Sequence, residues 1–161
     1  MSLARKILVV GGLALAAFGM LYGLHYALFI EHQTLDAMGG SLTDAFVQAA
    51  EHHIPQSHVA VDAYSRVKYV YVRQVDVHSH WIGLAMLLIV FGVVFDRVAF
   101  AERTRVLIAI ALLVGSILFP LGVLLQASIR GPVPSALAIT GSALVIVSLL
   151  FTTWGIVRQD G

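Results

Sequence analysis

The sequence predicts an all-α integral membrane protein, a four-transmembrane-helix up-down bundle with a small outer insertion between its first and second spans. Apolar residues make up 59% of the chain and charged residues only 12%, a balance foreign to soluble domains of 161 residues. Three segments, 77–95, 106–126 and 135–157, reach the roughly 20 apolar residues that a hydrocarbon core demands. A fourth, 7–30, comes first and follows the basic pair Arg5-Lys6. All four belong to a single membrane domain.

The first span is longer than the ~7–15 apolar residues of a secretory leader, and no small-x-small cleavage site follows it in a polar setting. It is therefore expected to stay as an anchor. Residues 31–76 come next, too long a connection to be structureless. Gly39-Gly40 reads as a break and Ser41 with Asp44 as a variant capping box. Leu42, Phe46, Ala49 and His53 recur at helical spacing, so 41–53 is expected to be a short amphipathic surface helix that Pro55 ends. Residues 63–76 fit both periods. Tyr64, Val67, Tyr71 and Val75 form a helical stripe continuing to His78, while the β-branched content fits a strand. The continuing stripe favours helix.

The remaining connections, 96–104 and 127–134, are short and imply antiparallel neighbours. Orientation follows the Lys/Arg bias of the flanks. Arg5, Lys6, Arg97, Arg103, Arg105 and Arg158 fall on one side. On the other, Arg66, Lys68, Arg73 and Arg130 are diluted by acidic residues. The expectation is a bacterial inner-membrane protein with cytoplasmic N- and C-termini and a periplasmic insertion. Trp81 and Trp154 would then sit at opposite interfaces.

The chain has no cysteine, which excludes disulfides, thiolate metal sites and covalent haem attachment. A net charge of +1 gives no footprint for nucleic acid. Lipid is the expected partner, together with other membrane subunits or further copies of the chain.

All seven histidines lie between His25 and His80, toward the proposed outer face. Imidazoles at membrane depth need a partner or a function. Phe18, Tyr22, His25, Phe29 and His32 share one helical face, with Gly19, Gly23 and Ala27 on the other as a ridge for close packing. The second span opens Asp76-Val77-His78-Ser79-His80. His78 and His80 point to nearly opposite faces, whereas Asp76 and His80 share one, so the carboxylate could orient the imidazole. Gly83 leaves room on that face for a flat group. His25 and His80 both lie ~6–8 Å inside their helices, at one level, as axial ligation of a haem b between them would require. Arg130 and the other outer cations would meet its propionates. The alternative for His25 is a hydrogen bond to a carbonyl across the bundle.

A rival site uses His25, His32 and either His78 or His80 for copper, zinc or iron, since imidazole and carboxylate suit those ions. His52, His53 and His58 read as solvated surface residues. Helix three offers the Pro120 kink and Gln126 at its end. Helix four offers only hydroxyls, and neither of these helices has an ionisable group in its interior, so no proton path across the membrane is expected.

The run His78-Ser79-His80-Trp81-Ile82-Gly83-Leu84, with Phe119-Pro120-Leu121-Gly122 in the next span, resembles the His-x-His helices of haem-binding membrane proteins. These are related to the haem–copper oxidase and nitric oxide reductase superfamily and to NnrS-like proteins. The resemblance covers less than half the chain. It implies haem b with His80 or His78 as axial ligand, and an electron-transfer or redox subunit of a larger respiratory-type complex. The chain has too few helices for an oxidase core. A non-haem metal protein, with a catalytic or metal-handling role, and a cofactor-free accessory subunit remain the alternatives.

Overall fold

A computed structural model describes residues 1–129 and 131–158. It is all-helical, with five helices: α1 (Leu3–Phe29), α2 (Glu31–Ala50), α3 (Ile54–Val94), α4 (Glu102–Gln126) and α5 (Pro132–Val157). There is no strand among the described residues, so 63–76 is helix. Four of the helices, α1, α3, α4 and α5, are long and apolar enough to cross a membrane.

Helix α1 begins at Ser2, whose hydroxyl oxygen accepts from the Arg5 N–H, and ends where Ile30 leaves helical geometry (φ −124°). His32 therefore belongs to α2 and not to the first span. Residues 41–53 are not a separate helix. Gly39 and Gly40 lie inside α2, and Ser41 is no cap: its hydroxyl donates to the Ala37 carbonyl at 2.8 Å. The actual break comes later, at His52, the one non-glycine residue with positive φ (61°) among those described. Pro55 opens α3 rather than closing the helix before it, as suits a residue whose missing N–H is unneeded in a first turn.

Helix α3 runs 41 residues without interruption, about 60 Å at 1.5 Å per residue, twice the ~30 Å of a hydrocarbon core. No glycine or proline occurs from Gln56 to Ile82, so nothing in the chain stops it. Its valine-rich first half stays helical because it continues the spanning helix and because α2 packs along it. Buried Ala45, Ser57 and Ala60 form that contact, and the Ser57 hydroxyl donates to the Ala45 carbonyl at 2.9 Å. The insertion is thus a helical hairpin built on an extension of α3.

Among the spans, α1 packs on α3 and both meet α4, while α5 is held chiefly by α4. The core lies where α1, α3 and α4 converge, on Leu8, Leu15, Val77, Trp81, Ala85, Leu88, Ile108 and Leu112. Trp81 is therefore a core residue, 3% exposed, and not an interfacial one. Trp154 is half exposed, with the Arg158 guanidinium 5.3 Å over its ring. Pro120 is buried inside α4, and next to it a Cβ on Gly141 would fall 2.4 Å from the Phe119 nitrogen. That contact is possible only between helices that approach backbone to backbone. After the α4–α5 turn, Gly131 takes φ +132° and Pro132 starts α5.

Candidate functional site

The two imidazoles at the head of the apolar half of α3 meet different neighbours, as a helix dictates for positions two apart. His78 faces α1. Its Nδ1 lies 3.0 Å from the Gly19 carbonyl, and its ring fills the space a Cβ on Gly23 would occupy, only 2.5 Å away. The small-residue ridge on α1 therefore does its expected work, and its occupant is an imidazole. The carbonyl bond across the bundle, weighed above for His25, is made by His78.

His80 faces α4. Its ring stands edge-on to Phe119, with centroids 4.7 Å apart, and its Nδ1 is 2.6 Å from the Asp76 carbonyl. The oxygen that orients it belongs to the Asp76 backbone and not to the carboxylate, which instead lies 4.0 Å from Arg73. A carbonyl oxygen can only accept, so in both residues Nδ1 carries the proton and a neutral ring keeps its lone pair on Nε2. One turn below His80, a Cβ on Gly83 would meet nothing within 4 Å.

His25 is not on that seam. It is exposed, with its ring 5.3 Å from Phe29. Tyr22 and Phe18, on its helical face, do turn inward and pack edge-on against Trp81, at 5.1 and 4.8 Å. His32 is exposed and pairs with Asp36 at 3.3 Å. The structure thus brings His78 to α1 and His80 to α4, and joins neither to His25 or His32. His52, His53 and His58 are exposed, and His53 lies 3.4 Å from Glu51. Arg130 lies outside the described residues.

Among the described residues no three His, Asp or Glu side chains gather closely enough to hold a metal ion. Ions of the zinc and copper kind take three or four protein ligands. A haem needs one or two imidazoles, and the Nδ1-anchored rings of His78 and His80 are of the right kind.

Sequence reasoning missed the groups that surround His78. A cavity of about 520 Å³ lies between α1 and α3, and its lining includes Tyr26, Glu31, Tyr71, Gln74 and His78. Gln74 accepts a hydrogen bond from the Tyr22 hydroxyl. The Tyr26 hydroxyl is buried and has no partner. The available signal was the helical register of Tyr71, Gln74 and His78, at spacings of three and four, facing Tyr22 and Tyr26 at the same spacing on α1. Gln126, at the end of α4, lines a separate cavity of about 500 Å³ with Arg66 and Tyr69. No protein family, characterised protein or solved structure matches the chain.

Proposed function

We propose that this multi-pass membrane protein is a redox subunit that holds a haem b through His80, on the face where α3 meets α4. One observation carries the reading. The Nδ1 proton of His80 is fixed on the Asp76 carbonyl at 2.6 Å, which orients the ring to present Nε2 as a ligand. The free space at Gly83 lies one turn away on the same helix, where a macrocycle would need it. A bound haem would supply one-electron chemistry. The chain would supply the imidazole that holds it and fix that ring's tautomer.

His80 would hold the haem as a single imidazole, and a partner subunit could complete the site. The face of α3 bearing Gly83, Met86, Val90 and Val93 is exposed, and α5 covers α4 rather than α3. In the same reading the bundle is up-down and lies in a bacterial inner membrane. Its termini are cytoplasmic, by the positive-inside bias, and the α2–α3 hairpin is periplasmic. His25 drops out as the facing ligand, and His78 is the alternate. A copper, zinc or iron site is the weaker proposal, for want of a third ligand.

A cofactor-free accessory subunit is the second reading, and the hairpin favours it. Leu35, Leu42 and Phe46 lie on one stripe of α2, 45%, 40% and 69% exposed, beyond the apolar spans. Exposed apolar groups in such a row mark a surface for another protein. The absorption spectrum of protein purified after haem-replete expression separates the readings. A Soret band at about one haem per chain is the expected result. Its absence, with no bound metal by elemental analysis, leaves the accessory reading in place.

A further inference from the structure

The cavity between α1 and α3 is a second site, on the His78 side of α3 and across that helix from His80 and the face assigned to haem. Its mouth is flanked by Met20, Leu24 and Val75, which are 62%, 56% and 40% exposed on helices apolar enough to span. A ligand reaches it from the lipid, so the ligand is itself lipid-soluble. At about 520 Å³ the space suits a substituted ring, within the usual ~300–1,000 Å³ of small-molecule sites.

The polar groups at its other end are specific in kind. Tyr26 is 7% exposed and its hydroxyl has no partner. Thr34 lies close by; its hydroxyl donates to the Ile30 carbonyl at 2.9 Å, and no bond from Tyr26 to its oxygen reaches hydrogen-bond geometry. Gln74 spends its carbonyl oxygen on Tyr22, which leaves its amide N–H groups to donate. His78, with its proton fixed on Gly19, presents an acceptor. Donors for a ring carbonyl therefore stand beside an acceptor for a ring hydroxyl. The Glu31 carboxylate in the same lining opposes an anionic headgroup.

We propose that this cavity binds the headgroup of an isoprenoid quinone, with Tyr26 donating to the carbonyl oxygen of the quinone and His78 accepting from the hydroxyl of the quinol. The proposal is independent of a haem held by His80, since binding needs only the groups just named; a haem on His78 would use the same Nε2 and exclude it. The groove on the far side of α1, about 510 Å³ and lined by Gly11, Leu113 and Leu121, is an internal control of similar size: Tyr22 and Trp81 also line it, but no imidazole, amide or carboxylate does.

Titration of the purified full-length protein in lipid nanodiscs with decylubiquinone, followed calorimetrically, tests it. Saturable binding near one equivalent is expected. Tyr26→Phe removes one unpartnered hydroxyl and should weaken binding at least about five-fold, the worth of a neutral hydrogen bond, without lowering the melting temperature. Leu121→Trp, which fills the other groove, should leave binding unchanged. No saturable binding, equal affinity in Tyr26→Phe, or loss of affinity in Leu121→Trp overturns the proposal. So does displacement by an excess of phosphatidylethanolamine, which would assign the cavity to a lipid headgroup. A haem-free preparation serves equally, so failure here leaves the Soret test standing.

Discussion

His78 and His80 show how much one residue's setting depends on helical phase. Their separation onto opposite faces was legible from spacing alone, because 3.6 residues per turn leaves no choice. Which neighbour each would meet was not legible, since hydropathy records depth and not the rotation of a helix. Hence His25, at the right depth, turned out to face outward. Glycines divide in the same way. At Gly23 a new Cβ would fall 2.5 Å from the His78 ring, so alanine must displace the ring and break its bond to Gly19. Overpacking of about 1–3 kcal/mol and a lost hydrogen bond of about 1 kcal/mol outweigh the ~1 kcal/mol gained in helix propensity. Gly23→Ala should therefore destabilise the protein by about 1–3 kcal/mol in a denaturant titration. Gly40 meets nothing within 4 Å in mid-helix, and Gly40→Ala should instead stabilise by about 0.5–1 kcal/mol.

At the scale of elements, the four apolar helices were legible because lipid imposes their length. The continuity of α3 was legible only over 63–76, from the stripe that runs on to His78; its start at Ile54 was not, since polar residues inside a helix look the same as polar residues in a loop. The clue lay in the stretch without glycine or proline, whereas Gly39-Gly40 suggested a break that packing on α3 overrides. The opposite end of the bundle is tied by a polar clasp that hydropathy also passes over. Ser2 donates to Asp96 at 2.5 Å, Arg5 reaches the same carboxylate at 3.3 Å, and the Leu3 N–H donates to Glu102. The Ser2 hydroxyl, and then Arg5, hold the Asp96 carboxyl below its ordinary range. A depressed carboxyl stabilises above its unfolded pKa, and that contribution is lost as pH falls through the folded one. Thermal stability in detergent should accordingly decline below about pH 4, the ordinary aspartate value. Asp96→Asn should lack that component of the decline, and an identical pH profile in the variant would refute the clasp.

For the molecule as a whole, composition announced a membrane protein, and the structure adds how its helices are shared out. A three-helix core of α1, α3 and α4 carries α5 on one flank and a long hairpin at one end. The native chain has no cysteine, so single introduced thiols report topology directly. His58 on the hairpin and Arg103 in the first turn of α4 are both exposed. In intact cells a membrane-impermeant maleimide should label His58→Cys, and should label Arg103→Cys only after permeabilisation. The reverse pattern would invert the proposed orientation.

The geometry separates the histidines that the sequence had put at one level, and that separation gives the haem proposal its most direct test. Haem content and the Soret band should be measured side by side in wild type, His80→Ala and His25→Ala, each purified after haem-replete expression. With His80 as the axial ligand, His80→Ala should lose the band while His25→Ala keeps it at wild-type intensity. A band that survives in His80→Ala, or vanishes in His25→Ala, would contradict the assignment.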